Sequence, residues 1–219
     1  GLSSHKVAQK GLVRTFQNVR LFKKLTVLEN LLVAQHSQLK AGFLSGLLNL
    51  SRYKQSEKEA KERAVTWLDF MGLTDLANRE AGNLAYGHQR RLEIARCMIT
   101  EPKVLLLDEP AAGLSREDKT ALAALLRRIA DAGLGVLLVE HDMALVMGIS
   151  DHVVVLDAGQ WLAAGSPSEV QANPAVQQAY LGAGLDPHAP PLRGSLPLEG
   201  AVPSHVEMLG VGQLVAGYG

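Results

Sequence analysis

The stretch Val104-Leu-Leu-Leu-Asp-Glu-Pro110 puts two carboxylates directly behind an apolar run of strand length. In an open α/β sheet, ligands bind outside the carboxyl ends of the strands, so Asp108 and Glu109 fall where a ligand is expected. A hard cation such as Mg²⁺ takes oxygen ligands and keeps several waters, a demand that Asp108 suits. Glu109 could orient and deprotonate an attacking water, a role worth about 10²–10⁴-fold in rate. Taken alone, the pair reads as well as a strand ending in two solvated acids.

His141 follows a second apolar run, Gly135-Val-Leu-Leu-Val-Glu140, and precedes Asp142. A histidine at the carboxyl end of a strand can contact a terminal phosphate, although by itself it is an ordinary loop residue. Leu84-Ala-Tyr-Gly-His88 opens the segment Gln-Arg-Arg-Leu-Glu-Ile-Ala-Arg. A turn at Gly87 feeding a helix over 88–100 would offer free N–H groups and a helix dipole to an anion. The same letters describe a plain amphipathic helix with Leu92, Ala95 and Ile99 buried. Gln17 alone would be a surface glutamine.

These residues need a scaffold, and the chain supplies its pattern. His5–Gln17 suggests a short helix, a turn at Gly11 and a strand carrying Leu12 and Val13. Thr26 with Glu29 is a capping-box pattern, so a helix begins there. Residues 55–71 predict a charged, then amphipathic helix stopped by Gly72. Residues 41–50 are apolar and ambiguous. Beyond Gly87, apolar strands at 104–107, 135–140 and 152–157 alternate with helices at 88–100, about 116–132 and 143–149. A turn at Ala158-Gly159 suggests a hairpin into 160–164, and Pro167 and Pro174 open two short helices. Continuous apolar strands alternating with helices indicate an α/β layer with a parallel sheet.

Composition narrows the class. Lys and Arg balance Asp and Glu at zero net charge, which gives nucleic acid no electrostatic foothold. Apolar residues make up 47% of the 219, enough for a sizeable core. The single cysteine, Cys97, excludes an internal disulfide framework. No apolar stretch reaches the roughly 20 residues that cross a bilayer, so membrane association would need a partner. Five of the nine prolines fall within 185–207, which reads as a linker. The apolar turn after it, Met208–Gly219, looks like the start of a new element.

In order and spacing, Gln17, Leu84–His88, Val104–Pro110, Ala112-Gly-Leu-Ser115 and Val139-Glu-His-Asp142 resemble the ATP-binding cassette family over residues 1–184. Arg14-Thr-Phe-Gln17, the long helical insert, Leu84-Ala-Tyr-Gly87 and Gly159–Gly182 narrow the resemblance to branched-chain amino acid transporter ATPases. The resemblance implies a P-loop NTPase-type α/β domain with a parallel-sheet core (about 101–165) and a helical subdomain (about 18–100). A family tail would span about 159–184. It also implies ATP and Mg²⁺, with Glu109 as general base and His141 as the switch at the γ-phosphate. Asp108 becomes the Mg²⁺-linked acid and Gln17 senses Mg²⁺ and water, partly through water. Leu84, Ala85, Tyr86, Gly87 and His88 would close over ATP held by the opposite subunit of a dimer. Implied partners are a second cassette ATPase domain, two transmembrane permeases and, indirectly, a periplasmic binding protein, with no nucleic acid. The implied location is the cytoplasmic face of the inner or plasma membrane, peripheral through the permeases. The family signature is Leu-Ser-Gly-Gly-Gln, so Ala85 removes a hydroxyl that would touch phosphate.

No Gly-x-x-x-x-Gly-Lys-Ser/Thr loop occurs in the 219 residues. Gly212–Gly217 has the glycine spacing, but Tyr218-Gly219 follows in place of Lys-Ser/Thr. The backbone and lysine of such a loop provide most of the grip on phosphates. The expectation is therefore a cassette incomplete at its N-terminus, unable to bind ATP well or hydrolyse it alone. Residues 208–219, with Tyr218 placed like an adenine-stacking aromatic, would open a second cassette in a fusion. Rival readings are a lipopolysaccharide-export ATPase, a urea or amide importer ATPase, and a cassette protein of translation or DNA repair. A non-catalytic interaction module is the remaining alternative.

Overall fold

The computed structural model describes residues 6–7, 10–15, 19–36, 50–181 and 206–212. Two compact units divide within one strand, between Leu105 and Leu106.

The first unit is mostly helical. Strand β1 (Leu12–Arg14) follows Gly11, whose φ of 91° is open to glycine at no steric cost. A Cβ there would stand 2.8 Å from the Lys103 side chain, so the position also needs an empty Cα. Helix α1 (Val27–His36) starts as its sequence predicts. Glu29 accepts from Thr26 N at 2.7 Å, and Glu29 N donates to the Thr26 hydroxyl at 3.2 Å. Those reciprocal bonds hold the exposed Glu29 carboxyl below its ordinary pKa, the backbone bond to Thr26 contributing most. Asn30, fully buried, ties the preceding loop down by exchanging hydrogen bonds with the Phe22 backbone in both directions.

Helix α2 (Leu50–Phe70) buries Ala60, Ala64 and Leu68 at four-residue spacing, one stripe of its surface. Gly72, at φ 65°, ends it, and Leu73 N closes the last turn onto Leu68 O. Gln35 of α1 donates to Ala60 O, which pins the two helices together. Short 3₁₀ turns at Thr74–Leu76 and Ala81–Asn83 lead to helix α3 (Tyr86–Met98). Its inner face carries Leu92 and Ala95, with Ile99 one turn on, all buried. Each such fully buried leucine is worth about 2 kcal/mol.

Strand β2 (Val104–Asp108) starts beside β1, with Lys103 N and Val104 N both donating to Gly11 O. At its far end Glu109 N donates to Val139 O of strand β3 (Gly135–Glu140). Starts meet starts and ends meet ends, the parallel arrangement expected of strand–helix–strand units.

In the second unit, helix α4 (Arg116–Asp131) links β2 to β3. Ser115 caps it by accepting from Asp118 N, and Leu122, Leu125, Leu126 and Ile129 form its buried stripe. Helix α5 (Met143–Ile149) and strand β4 (His152–Asp157) follow. Ala158 and Gly159, both at positive φ, turn the chain into antiparallel strand β5 (Gln160–Gly165). Helix α6 (Pro167–Ala172) opens on a Ser166–Glu169 capping box with proline at its first position, and α7 (Pro174–Leu181) follows. Arg127 of α4 joins Asp131 to Asp151, fastening the turn after α5.

The sheet order is β1-β2-β3-β6-β4-β5, where β6 is Val206–Gly212. The β3–α5–β4 crossover leaves one strand-wide slot, and β6 fills it antiparallel to both neighbours. Interior backbone N–H and C=O groups must be paired, which an empty slot would leave undone on two rows. Alternation in the sequence foretells the α/β layer but not an antiparallel strand at its middle. The linker residues 185–205 and the stretch 213–219, with Tyr218, lie outside the described residues. Among the described residues no helix is long and apolar enough to cross a membrane.

Candidate functional site at the ends of β2 and β3

Two short segments carry the chemistry of the second unit. Asp108 is the last residue of β2, half-buried, and Glu109 follows it at φ 43°. A left-handed backbone is costly for a residue with a Cβ, about 1–2 kcal/mol, and such strain concentrates at functional sites. From this position at the carboxyl end of β2 the Glu109 side chain comes close to the end of β3. There His141 Nδ1 stands 3.7 Å from Glu109 Oε1. Both side chains are partly exposed, 49% for His141 and 35% for Glu109, so solvent or a ligand reaches them. The structure thus brings together two residues that the sequence assigns to one site.

The supports of this pair were less visible in the sequence. Glu140 is only 2% exposed, yet both its oxygens are engaged. Oε1 accepts from Ala111 N at 2.8 Å and Oε2 from His141 N at 3.2 Å. Burial pushes its carboxyl pKa up, against the pull of these N–H groups and the neighbouring imidazole. On the other side of His141, Asp142 caps α5 through Leu145 N and meets Lys119 Nζ at 2.7 Å. Desolvation works to raise the Asp142 pKa, but the Lys119 bond and charge and the α5 N–H groups hold it below the ordinary value. Four consecutive apolar residues precede Glu140, so the letters alone do not mark it as buried. The strand alternates buried and half-buried residues from Gly135, and Glu140 falls in the buried phase with Val136 and Leu138.

The signature segment lies in the first unit. Leu84 is buried and its carbonyl accepts from Gln89 Nε2 at 2.8 Å. Ala85, extended at φ −57° and ψ 150°, is the N-cap of α3, and no side chain caps that turn. The helix therefore starts two residues before the expected 88, with Gly87 buried inside its first turn and not forming the turn itself. A serine at position 85 could accept from a first-turn N–H; an alanine cannot, and the helix start keeps its positive end for other acceptors. Tyr86 is exposed and His88 is half-buried beside it. Behind them Arg90 and Glu93 form a buried ion pair at 2.8 Å, with the Tyr86 ring 5.9 Å from the guanidinium. Gln17 lies outside the described residues.

The family model described as ABC transporter matches residues 2–112. A second model, the branched-chain amino acid ATP-binding cassette transporter, matches residues 162–186. The chain is 56% identical over 183 residues to the high-affinity branched-chain amino acid transport ATP-binding protein BraF of Pseudomonas aeruginosa, covering 83% of this chain and 72% of that one. The corresponding LivG protein of Escherichia coli is 54% identical over the same shares. Among solved structures, the ADP conformation of an ATP-binding cassette of an ABC transporter superposes with a TM-score of 0.66 at 31% identity, covering 81% of this chain and 70% of that one. A nucleotide-free ATP-binding cassette from an ABC transporter gives a TM-score of 0.65 at 30% identity, over 81% and 71%. With a family model over half its length and relatives above half identity, the chain belongs to the ATP-binding cassette transporter family, beside the branched-chain amino acid ATP-binding proteins.

Proposed function

We propose that this chain is the ATP-hydrolysing part of an importer of branched-chain amino acids, working as one half of a cassette dimer at the cytoplasmic face of two permeases. The single observation that carries the hydrolytic reading is the placement of Glu109, at the end of β2, beside His141. The transported substrate is taken from what BraF and LivG are named for.

In this reading Glu109 accepts a proton from the attacking water, while His141 holds the oxygen of the departing phosphate from the other side. Because both are fixed to strand ends, neither needs to reorganise as charge develops. Asp108 would hold Mg²⁺, whose chemistry is to draw the β- and γ-phosphate charge. Among the described residues no cluster of three His, Cys, Asp or Glu could cage a metal alone. A donor set of one carboxylate completed by phosphates and waters is what a nucleotide-bound Mg²⁺ uses, so Asp108 fits that ion. Gln17 would share the task. Leu84 to His88, with the uncapped start of α3, would face the nucleotide of the opposite subunit. A phosphate-gripping Gly-Lys-Ser/Thr loop would complete the site, and none occurs in the 219 residues. The 219 residues alone should therefore show no micromolar ATP binding by calorimetry.

The test is transport. With the complete ATPase, its permeases and binding protein in vesicles, ATP-dependent leucine uptake should occur and should vanish on Glu109→Gln. Uptake that survives Glu109→Gln would remove Glu109 from catalysis. Failure to carry any branched-chain amino acid, with ATP turnover intact, would move the assignment to another substrate class.

A further inference from the structure

Burying a carboxylate is expensive, and β3 offers a cheaper alternative at the same place. Glu140 continues the inward phase of Val136 and Leu138, where an aliphatic side chain would pack without any desolvation cost. What the glutamate adds is connection. Its two oxygens join Ala111, two residues beyond Glu109, to the backbone N–H of His141. Ala111 is itself 2% exposed, so this bond has no water to compete with. A third tie, Glu109 N to Val139 O, closes the same circuit from the other strand end. Asp142, capped onto α5 and paired with Lys119, secures the far side of His141.

We infer that Glu140 is a positioning residue for hydrolysis: its buried carboxylate clamps the exit of β2 to the exit of β3 and so fixes Glu109 relative to His141. The inference rests on the roles proposed above for those two residues. Glutamine is the informative replacement. Its single amide oxygen can accept from one of the two N–H groups, while its NH₂ faces the other and bonds to nothing there. With the NH₂ against Ala111 N, the exit of β2 is released from β3 by a fraction of an ångström to an ångström, a displacement worth up to about a hundredfold in rate.

The complete ATPase in its transporter, carrying Glu140→Gln, should lose about tenfold to a hundredfold in kcat with KM for ATP within about twofold of the parent. A merely structural glutamate would lower Tm and leave kcat within about threefold, and that result would overturn the inference. So would a parallel change in kcat and KM. Should the variant not fold, amide hydrogen exchange on the parent decides. Ala111 and His141 should exchange as slowly as the amides of β3, and fast exchange at either would refute the clamp. Glu109→Gln, run alongside, separates the two claims. If it leaves hydrolysis intact, the proposed roles fail; if it abolishes hydrolysis while Glu140→Gln is silent, only the clamp fails.

Discussion

The imidazole Nδ1 of His141 and the carboxylate Oε1 of Glu109 approach to 3.7 Å across the ends of two neighbouring strands. That distance is longer than a hydrogen bond and short enough for a charged imidazole to feel the acid. Replacing either should therefore affect turnover more than nucleotide binding. Glu109→Gln in the complete ATPase is expected to lower kcat by about 10²–10⁴-fold, with ATP affinity retained. Single-turnover kinetics with direct nucleotide binding would check this, and a variant that loses affinity and rate together would contradict it.

The buried Arg90–Glu93 pair makes a prediction about stability. Both side chains are at least 95% buried, and Glu93 Oε1 has no hydrogen-bond partner among the described residues. Glu93→Ala leaves a buried guanidinium without its carboxylate and should cost about 3–5 kcal/mol in urea unfolding. Exchanging both for apolar residues, Arg90→Met with Glu93→Leu, should cost far less or raise stability. Equal losses from the single and double variants would show that the pair contributes little as a pair.

Two acids beside His141 should give opposite pH responses. Burial raises the Glu140 pKa above 4.5, so the folded state holds this proton more tightly than the unfolded chain. Its contribution is largest below about pH 4.5 and declines as pH rises through the raised value. Asp142 is held below 3.8, so its contribution is present above that value and is lost on acidification. Urea midpoints across pH 3–8, compared with Glu140→Gln, should show the parent losing ground to the variant as pH rises. A gain by the parent would reverse the assigned direction.

Cys97 should be a poor nucleophile. Burial pushes its thiol up to about 12, with Glu93 adding to the rise and Arg96 opposing it. At neutral pH the thiolate is then about a thousandfold scarcer than for an ordinary cysteine. Thiol reagents at pH 8 should label it slowly in the folded protein and at once in urea. Rapid labelling without denaturant would mean that the α3 helix opens locally.

How much of this was readable beforehand varies with the physics involved. Helix α5 and strand β4 fall where apolar periodicity puts them, because that signal is local. Thr26–Glu29 is likewise short-range, and its capping box forms. The sequence sets the start of α3 two residues late because Gly87 reads as a turn, whereas the extended residue is Ala85 and Gly87 packs inside the helix. Strand β6 depends on an opening left by a crossover many residues earlier, which no local pattern reveals. The residues of the proposed site stand in the sequence as types in order, without their geometry. The Glu140 clamp was not, since it joins backbone groups that carry no letter of their own.

The positive φ of Glu109 has a consequence for how this protein can be improved or damaged. Glycine is the residue that this backbone prefers, and Glu109→Gly should relieve about 1 kcal/mol of strain. It would also delete the proposed base. Selection for folding alone would drift towards glycine here, and selection for turnover would hold glutamate. The position is a local conflict between robustness and work, and a library screened separately for thermal tolerance and for ATP turnover should split at this one codon.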